Sequence, residues 1–193
     1  SSDKFTQFIR SQKLANIEVI QADISTGLPD VPGLKSLDKV FCRWVLMFTG
    51  NLEKIIGSVF DVLKPGGKFI SIEYFRFYQI DMFPKSETFD QIYLGVQKLL
   101  RNNGGDPSAG DKVHEIMRSV GFRQLKTFPI YRTGRPGSDL WIWLERTNKN
   151  HFNLVQHNLI SEAILQAYYQ DWEEKSKSDT SFITAPPLMI TIG

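Results

Sequence analysis

The sequence predicts an α/β fold built around one mostly parallel sheet. Between residues 16 and 75 the patterns alternate in the order strand, loop, strand, helix, turn, strand. Such alternation is typical of parallel sheets, because a helix returns the chain to the edge at which the next strand begins. With 193 residues, 41% of them hydrophobic and 23% charged, the chain is large and apolar enough for one domain with a substantial core.

The amino-terminal elements are a helix, a strand and a loop. Residues 3–14 carry apolar side chains on one face at helical spacing, which predicts an amphipathic helix. The apolar residues within 17–22 predict a strand that ends at the acid Asp23. Glycine and proline residues between 26 and 35 predict a loop.

The next elements form a strand, helix, turn and strand unit. A strand is predicted at 37–41, and Asn51 can cap a helix that begins at Leu52. The Lys-Pro-Gly-Gly sequence at 64–67 ends this helix and turns the chain. Residues 68–75 then predict a third strand.

The second half of the chain alternates less regularly. Its predicted elements are helices at 86–100 and 109–120, a strand at 122–132, a mostly helical stretch at 139–177 and a closing strand at 188–192. Gly121 is expected to end the second of these helices. A break near Asn158 and a new cap at Ser161 divide the long helical stretch.

The composition excludes several classes of function. Lysine and arginine total 23, and aspartate and glutamate total 21, so the net charge is 23 − 21 = +2. A chain this close to neutrality has no basic surface for nucleic acid or an anionic membrane, and we expect neither as a partner. The single cysteine, Cys42, cannot form an internal disulfide or a thiolate metal cluster, so we expect no metal and a reducing, cytoplasmic compartment.

Three segments, taken in order, resemble the class I S-adenosylmethionine-dependent methyltransferases. They are Ile20–Ile24 at a strand end, Leu37–Leu46, and Val62–Ile70 with its Leu-Lys-Pro-Gly-Gly sequence. The likeness extends over about residues 17–193. It implies a partial Rossmann-like sheet, mostly parallel with an antiparallel C-terminal strand, and helices on both faces. The whole of 1–193 is then one domain, with a helical cap inserted at about 76–110.

The resemblance implies S-adenosylmethionine as cofactor and places four residues beside it. The carboxylate of Asp23 would bind the adenine amino group, with the amide of Ile24 nearby. The backbone of Cys42 and Arg43 would lie next to the methionine end. Read without the resemblance, Asp23 more often makes only an Asx turn, and Cys42 is a small buried residue. We do not expect the thiol to act as a nucleophile, because no partner base is visible in the sequence.

Aromatic residues near the predicted strand ends suggest a substrate pocket. Trp44, Tyr74, Phe75 and Trp141 are the predicted substrate-binding residues, and core packing is the alternative for each of them. Trp141 and Trp143 share one face if this segment is a strand and lie out of register if it is a helix. An aromatic wall suits an apolar or planar small molecule.

The expected reaction follows from the resemblance alone. It is direct, in-line transfer of the sulfonium methyl group to a nucleophile on a small molecule, without a covalent enzyme intermediate. The sequence does not identify a catalytic residue. Glu73, Tyr74 and His114 are possible acid or base helpers, and the residues give no means to choose among them.

One part of the family pattern is missing from the sequence. A complete member begins with a strand, a glycine-rich turn, a helix and a second strand ending in an acid, whereas the sixteen residues before Ile17 contain no glycine. We therefore expect a truncated domain whose strand at 17–22 has an unpaired inner edge. Each buried backbone group left unpaired costs about 1–3 kcal/mol.

Three arrangements would repair this edge. The missing unit can belong to a longer natural chain, strand 17–22 can pair directly with strand 37–41, or a second copy can supply strands in a homodimer. Our hypothesis is a truncated methyltransferase with new strand pairing in a dimer. The alternative is a non-catalytic fragment or interaction module that keeps the fold without binding cofactor.

Overall fold

A computed structural model describes residues 2–30 and 33–193. The first residue of the predicted domain and part of the predicted loop at 26–35 therefore lie outside the described residues. The helices are α1 (Ser2–Ser11), α2 (Leu52–Val62), α3 (Glu87–Asn102), α4 (Gly110–Val120), α5 (Asp139–Asn148), α6 (Phe152–Gln156) and α7 (Glu162–Ser176). The strands are β1 (Leu37–Arg43), β2 (Leu63–Tyr74), β3 (Asp81–Phe83), β4 (Lys126–Ile130), β5 (Thr133–Gly134), β6 (Phe182–Thr184) and β7 (Leu188–Ile192).

The main sheet has the strand order β1-β2-β7-β4. β1 and β2 are parallel, and β7 is antiparallel to both of its neighbours, β2 and β4. Three strands therefore run in one direction, and the C-terminal strand runs against them. The predicted α/β fold class, with its mostly parallel sheet and antiparallel last strand, is confirmed.

One part of the core lies on one face of this sheet, beneath α2 and α4, and the rest lies among α3, α5, α6 and α7. These two helices pack on each other and on β2, and α4 also packs on β7. Ile56 of α2, Met117 of α4 and Phe69 of β2 are almost completely buried. α2 begins where the sequence predicts, because the side chain of Asn51 accepts a hydrogen bond of 3.0 Å from the amide of Lys54.

The opposite face of the sheet is also apolar but is far more exposed. Strand register places Phe41, Ile70, Ile72, Ile190, Phe128 and Ile130 on this face. Phe41 is 60% exposed and Phe128 43% exposed. α5 borders only the carboxyl end of this face, where Leu140 and Trp143 line a small cavity with Leu188.

The predicted strand at 17–22 is wrong. Residues 17–22 have no regular secondary structure, and Ile17 and Ile20 are 43% and 39% exposed. A strand needs a neighbour to pair its amides and carbonyls, and the described residues form no strand pairing at this position. The proposed direct pairing with strand 37–41 is not formed either, since β1 pairs with β2 and lies at the sheet edge. In the described residues the two edge strands of the main sheet are therefore β1 and β4, and the edge that was predicted for strand 17–22 is that of β1.

The Lys-Pro-Gly-Gly turn is a bulge inside β2 rather than a separate connection. Leu37 pairs with Leu63, whereas Lys39 pairs with Lys68. Residues 64–67 therefore bulge out opposite Asp38, with Gly66 at a φ of +79°. The predicted turn geometry is present, but β2 begins five residues earlier than the predicted strand at 68–75.

A second, small sheet has no counterpart in the sequence predictions. It has the order β3-β6-β5 and is antiparallel throughout. Its strands have only two or three residues, which is too short for an alternating pattern to be recognised. The rings of Phe83 and Phe182 stack across this sheet with their centroids 4.6 Å apart. This contact joins the segment before α3 to the segment before β7.

The helices α3, α5, α6 and α7 form a cap above the carboxyl ends of β1 and β2. α3, which lies in the predicted insertion at 76–110, packs on α6 and α7, which come from later in the chain. Ser161 begins α7 as predicted, by accepting a hydrogen bond from the amide of Ile164. Within 2–30 and 33–193, none of the helices combines the length and apolar character that crossing a bilayer requires.

Candidate active site

A cavity of about 660 Å³ lies between the carboxyl ends of β1 and β2 and the helices α3, α5 and α6. Its sheet side is formed by Arg43, Trp44 and Tyr74. α3 contributes the apolar row Val96, Leu99 and Leu100, whose spacing places all three on one helix face. The size and apolar lining are those of a site for an organic small molecule.

Three stacked aromatic rings separate this cavity from a second, smaller one. Trp44 stacks on Tyr74 with ring centroids 5.6 Å apart and on Trp143 at 5.9 Å. The guanidinium of Arg43 lies 3.9 Å from the centre of the Trp44 ring. The second cavity, of about 250 Å³, shares these four residues, so the stack is a wall with a cavity on each side.

The backbone at Trp44 is held by the buried carboxylate of Glu73. Trp44 has a left-handed conformation, with a φ of +55°, directly after β1. One oxygen of Glu73 accepts hydrogen bonds from the amides of Val45 at 2.9 Å and Leu46 at 3.0 Å. Burial raises the pKa of Glu73, and these amides partly oppose that rise. The carboxylate thus satisfies the first amides of the short 3-10 helix Leu46–Phe48.

Cys42 lies behind the cavity wall and remains a thiol. Its sulfur is 3.7 Å from the hydroxyl of Ser71 and 3.8 Å from Oε1 of Glu73. Burial raises the pKa of Cys42 to about 12. Since the thiolate is the nucleophilic form, this environment disfavours nucleophilic chemistry at Cys42.

The structure divides the predicted substrate-binding residues into two groups. Trp44 and Tyr74 line the large cavity. Phe75 is buried and packs edge-on against Tyr131, and Trp141 packs on Trp172 at 4.7 Å. Neither Phe75 nor Trp141 is part of the cavity lining.

Trp143 takes the place in the wall that the sequence predicts for Trp141. The segment is the helix α5, and residues two apart on a helix lie on nearly opposite sides. Trp141 therefore faces α7, while Trp143 faces the Trp44 ring. The choice between strand and helix decides which of the two tryptophans reaches the cavity.

Asp23 and Ile24 lie outside the cavity lining. Asp23 is exposed, and its Oδ1 accepts a hydrogen bond of 2.8 Å from the amide of Ser25. This is the Asx turn that the sequence offers as the simpler interpretation, and the hydrogen bond lowers the pKa of Asp23. The cofactor contacts of Asp23, Ile24, Cys42 and Arg43 stay predictions.

The three possible acid or base helpers lie in different surroundings. Glu73 uses one carboxylate oxygen to hold the backbone. Burial raises the pKa of Tyr74 above its ordinary value, so this phenol is a hydrogen-bonding group rather than a base near neutral pH. His114 is exposed on α4, with Nδ1 2.7 Å from the hydroxyl of Thr127, and it does not line the cavity.

The sequence predictions missed two buried polar residues of the cavity wall. Tyr93 of α3 and His151, just before α6, both line the cavity and are 5% and 4% exposed. Tyr93 belongs to the apolar face of α3, and this is the sequence signal that could have found it. His151 lies between α5 and α6, where the sequence has no helical periodicity from which the direction of its side chain can be predicted. Burial lowers the pKa of His151 to about 4, so its imidazole is neutral at physiological pH.

Comparisons with known proteins agree with this architecture. The model of a methyltransferase domain family matches residues 4–121. A putative methyltransferase from Bacillus halodurans has 14% identity and a TM-score of 0.56, and the match covers 99% of this chain and 77% of that chain. The YcgJ protein from Bacillus subtilis has 16% identity and a TM-score of 0.57, with coverage of 100% and 76%. No curated protein matches significantly in sequence. At such identities the two structures show a shared fold.

Proposed function

Because the chain belongs to the family of methyltransferase domains, whose cofactor is S-adenosylmethionine, we propose that it methylates an apolar small molecule directly. The observation that carries this proposal is the position of the large cavity. It begins at Arg43 and Trp44, immediately after β1, and ligands of open α/β sheets bind outside the carboxyl ends of the strands. Its aromatic and aliphatic walls suit an apolar or planar acceptor.

The described residues offer two parts of a cofactor site. Cys42 and Arg43 end the edge strand β1, where a ligand can approach from the open side of the sheet. The carboxylate of Asp23 is exposed and accepts the amide of Ser25 through Oδ1, and a carboxylate has further acceptor sites with which it can bind the adenine amino group. When bound, S-adenosylmethionine supplies an electrophilic methyl group on a sulfonium sulfur.

The residues of the chain then act mainly by positioning. The stack of Trp44, Tyr74 and Trp143 gives an acceptor a flat apolar surface beside Arg43. Glu73 fixes the turn from which Trp44 projects. Holding an acceptor in one orientation and excluding water can supply much of the rate of a transfer reaction. The protonated thiol of Cys42 supports a mechanism without a covalent enzyme intermediate.

Calorimetry with S-adenosylhomocysteine tests the cofactor site. We expect micromolar binding by the chain and about tenfold weaker binding by Asp23→Asn, because a charge-assisted hydrogen bond is lost. Asp30→Asn is the matched control, since Asp30 is also exposed and pairs with Lys35 at the surface. Equal binding by both variants and the unchanged chain would remove Asp23 from the site.

A non-catalytic interaction module is the second candidate. It is favoured by the position of Asp23 and Ile24, which lie outside the lining of the large cavity. In the same calorimetric experiment, no heat from S-adenosylhomocysteine at millimolar concentration would support this module and contradict the enzyme.

Two further proposals concern partners and location. The open edge of β1 and the exposed apolar face beside it support a homodimer. The single, half-buried Cys42 supports a reducing compartment such as the cytoplasm. The small-molecule acceptor is the only other partner that we propose.

A further inference from the structure

Three residues that line the large cavity, Trp44, Tyr93 and His151, each bury a polar side-chain atom that makes no hydrogen bond with the described residues. His151 is 4% exposed, and its imidazole makes no hydrogen bond with any described residue. Its ring meets the rings of Tyr93 at 5.9 Å and Tyr168 at 5.5 Å, both edge to face. Buried polar groups are nearly always hydrogen-bonded, so this imidazole calls for an explanation.

The backbone of His151 is held by hydrogen bonds on both sides. The amide of His151 donates to the carbonyl of Asn148, and its carbonyl accepts from the amide of Leu154. Nδ1 is sealed from solvent. Nε2 is not sealed in this way, so in a residue that lines the cavity it is the ring nitrogen that we expect a ligand to reach.

The charge of the surroundings restricts what this nitrogen can bind. Burial keeps the imidazole neutral near pH 7. Among the described residues that line the cavity, Arg43 alone carries a charge, and it lies over Trp44 on the sheet side. A charged group beside His151 would therefore be desolvated without a counter-ion, which is costly.

A neutral imidazole nitrogen either donates or accepts, depending on the tautomer. A hydroxyl group satisfies both cases, because it donates one hydrogen bond and accepts others. Tyr93 adds a second polar group that a ligand can bind. Its buried hydroxyl lies beside the hydroxyl of Thr147 but forms no hydrogen bond of normal geometry with any described residue. An uncharged hydroxyl on an apolar frame is the ligand that meets all of these conditions.

We infer that His151 is the specificity-determining residue of the cavity and binds a hydroxyl group of an otherwise apolar acceptor. This inference rests on the proposed function and names the class of its acceptor. His151 acts here as a hydrogen-bonding group that orients the acceptor. A ring with so low an affinity for protons is a poor general base near neutral pH.

The test compares two probes that differ by one hydroxyl, 4-propylphenol and propylbenzene. Their dissociation constants are measured through the fluorescence of Trp44 and Trp143, which line the cavity. In the unchanged protein the hydroxyl is satisfied, so 4-propylphenol binds at least as tightly as propylbenzene. In His151→Phe we expect the ratio of the two dissociation constants to shift by about tenfold against 4-propylphenol.

His157→Phe is the matched control, because His157 is exposed and does not line the cavity. Its ratio should equal that of the unchanged protein. If His151→Phe does not fold, His151→Leu gives the same comparison with a smaller apolar side chain.

Three results would overturn the inference. The first is a folded His151 variant in which the ratio of the two dissociation constants stays within about twofold of its value in the unchanged protein. The second is an equal shift of this ratio in the His157 control. The third is that neither probe binds to the unchanged protein. Binding of S-adenosylhomocysteine together with any of these results would leave the proposed methyltransferase standing and remove only the role of His151.

Discussion

At the residue scale, the carboxylate of Glu73 determines the shape of the turn that begins the cavity. Glu73 is fully buried, and one of its carboxylate oxygens accepts hydrogen bonds from the amides of Val45 and Leu46. A carboxylate is a costly group to bury, and the two amides make this burial tolerable. Glu73 is therefore a positioning residue, which acts on the cavity through the backbone next to Trp44.

Replacing Glu73 tests this role through stability. Glu73→Leu removes the acceptor of two buried amides and should lower the free energy of unfolding by about 2–5 kcal/mol. Glu73→Gln keeps an amide oxygen in the same place and should cost only about 1 kcal/mol. Urea unfolding of the two variants measures the difference. A Leu variant as stable as the Gln variant would show that the two amides do not depend on this side chain.

At the element scale, the bulge at 64–67 sets the register between β1 and β2. It brings Arg43 opposite Ile72, so that β1 ends beside Glu73 and the cavity. A Cβ at Gly67 would lie 2.9 Å from the carbonyl oxygen of Lys64 and 3.0 Å from that of Leu37. Both contacts are with backbone, which cannot move without disturbing the strand pairing.

Alanine substitutions at two glycines test the bulge. Gly67→Ala should lower the free energy of unfolding by about 1–3 kcal/mol, because the methyl group has no room. Gly57→Ala is the control in the middle of α2, where nothing lies within 4 Å of the added Cβ. It should raise stability by up to about 1 kcal/mol through helix propensity. Equal effects of the two substitutions in urea unfolding would contradict the proposed crowding.

At the scale of the whole molecule, the sheet is covered unequally. α2 and α4 cover one face, while the other exposes Phe41 on the edge strand β1 and Phe128 on β4, at the opposite end of the sheet. An unpaired strand next to an apolar surface favours association with another strand edge. We therefore expect the chain to form a homodimer through this edge and face.

Light scattering after size exclusion measures the dimer directly. Phe41→Lys should give a monomer, because a charge at the edge opposes strand pairing and burial. Phe152→Lys is the control, since Phe152 is 48% exposed on α6, away from the sheet. A monomeric unchanged protein, or a Phe41→Lys variant that remains a dimer, would contradict an interface at β1.

Local sequence signals predicted most of the elements, because each depends on neighbouring residues. The cap at Asn51, the end of α4 at Gly121 and the start of α7 at Ser161 are all in the structure. These are interactions over three or four residues, which a sequence displays directly. The strand at 17–22 failed because a strand depends on a partner that can lie anywhere in the chain.

Patterns in the sequence were enough to predict the fold class, the order of the four strands of the main sheet and the strand end at Arg43 and Trp44 from which the cavity begins. Three features became visible only in the folded chain: Trp143 and not Trp141 reaches the wall, Glu73 holds the backbone, and Nδ1 of His151 is buried without a partner among the described residues. Helix periodicity and caps arise from short-range contacts. The direction of a single side chain in a cavity depends instead on the packing of elements that are far apart in sequence.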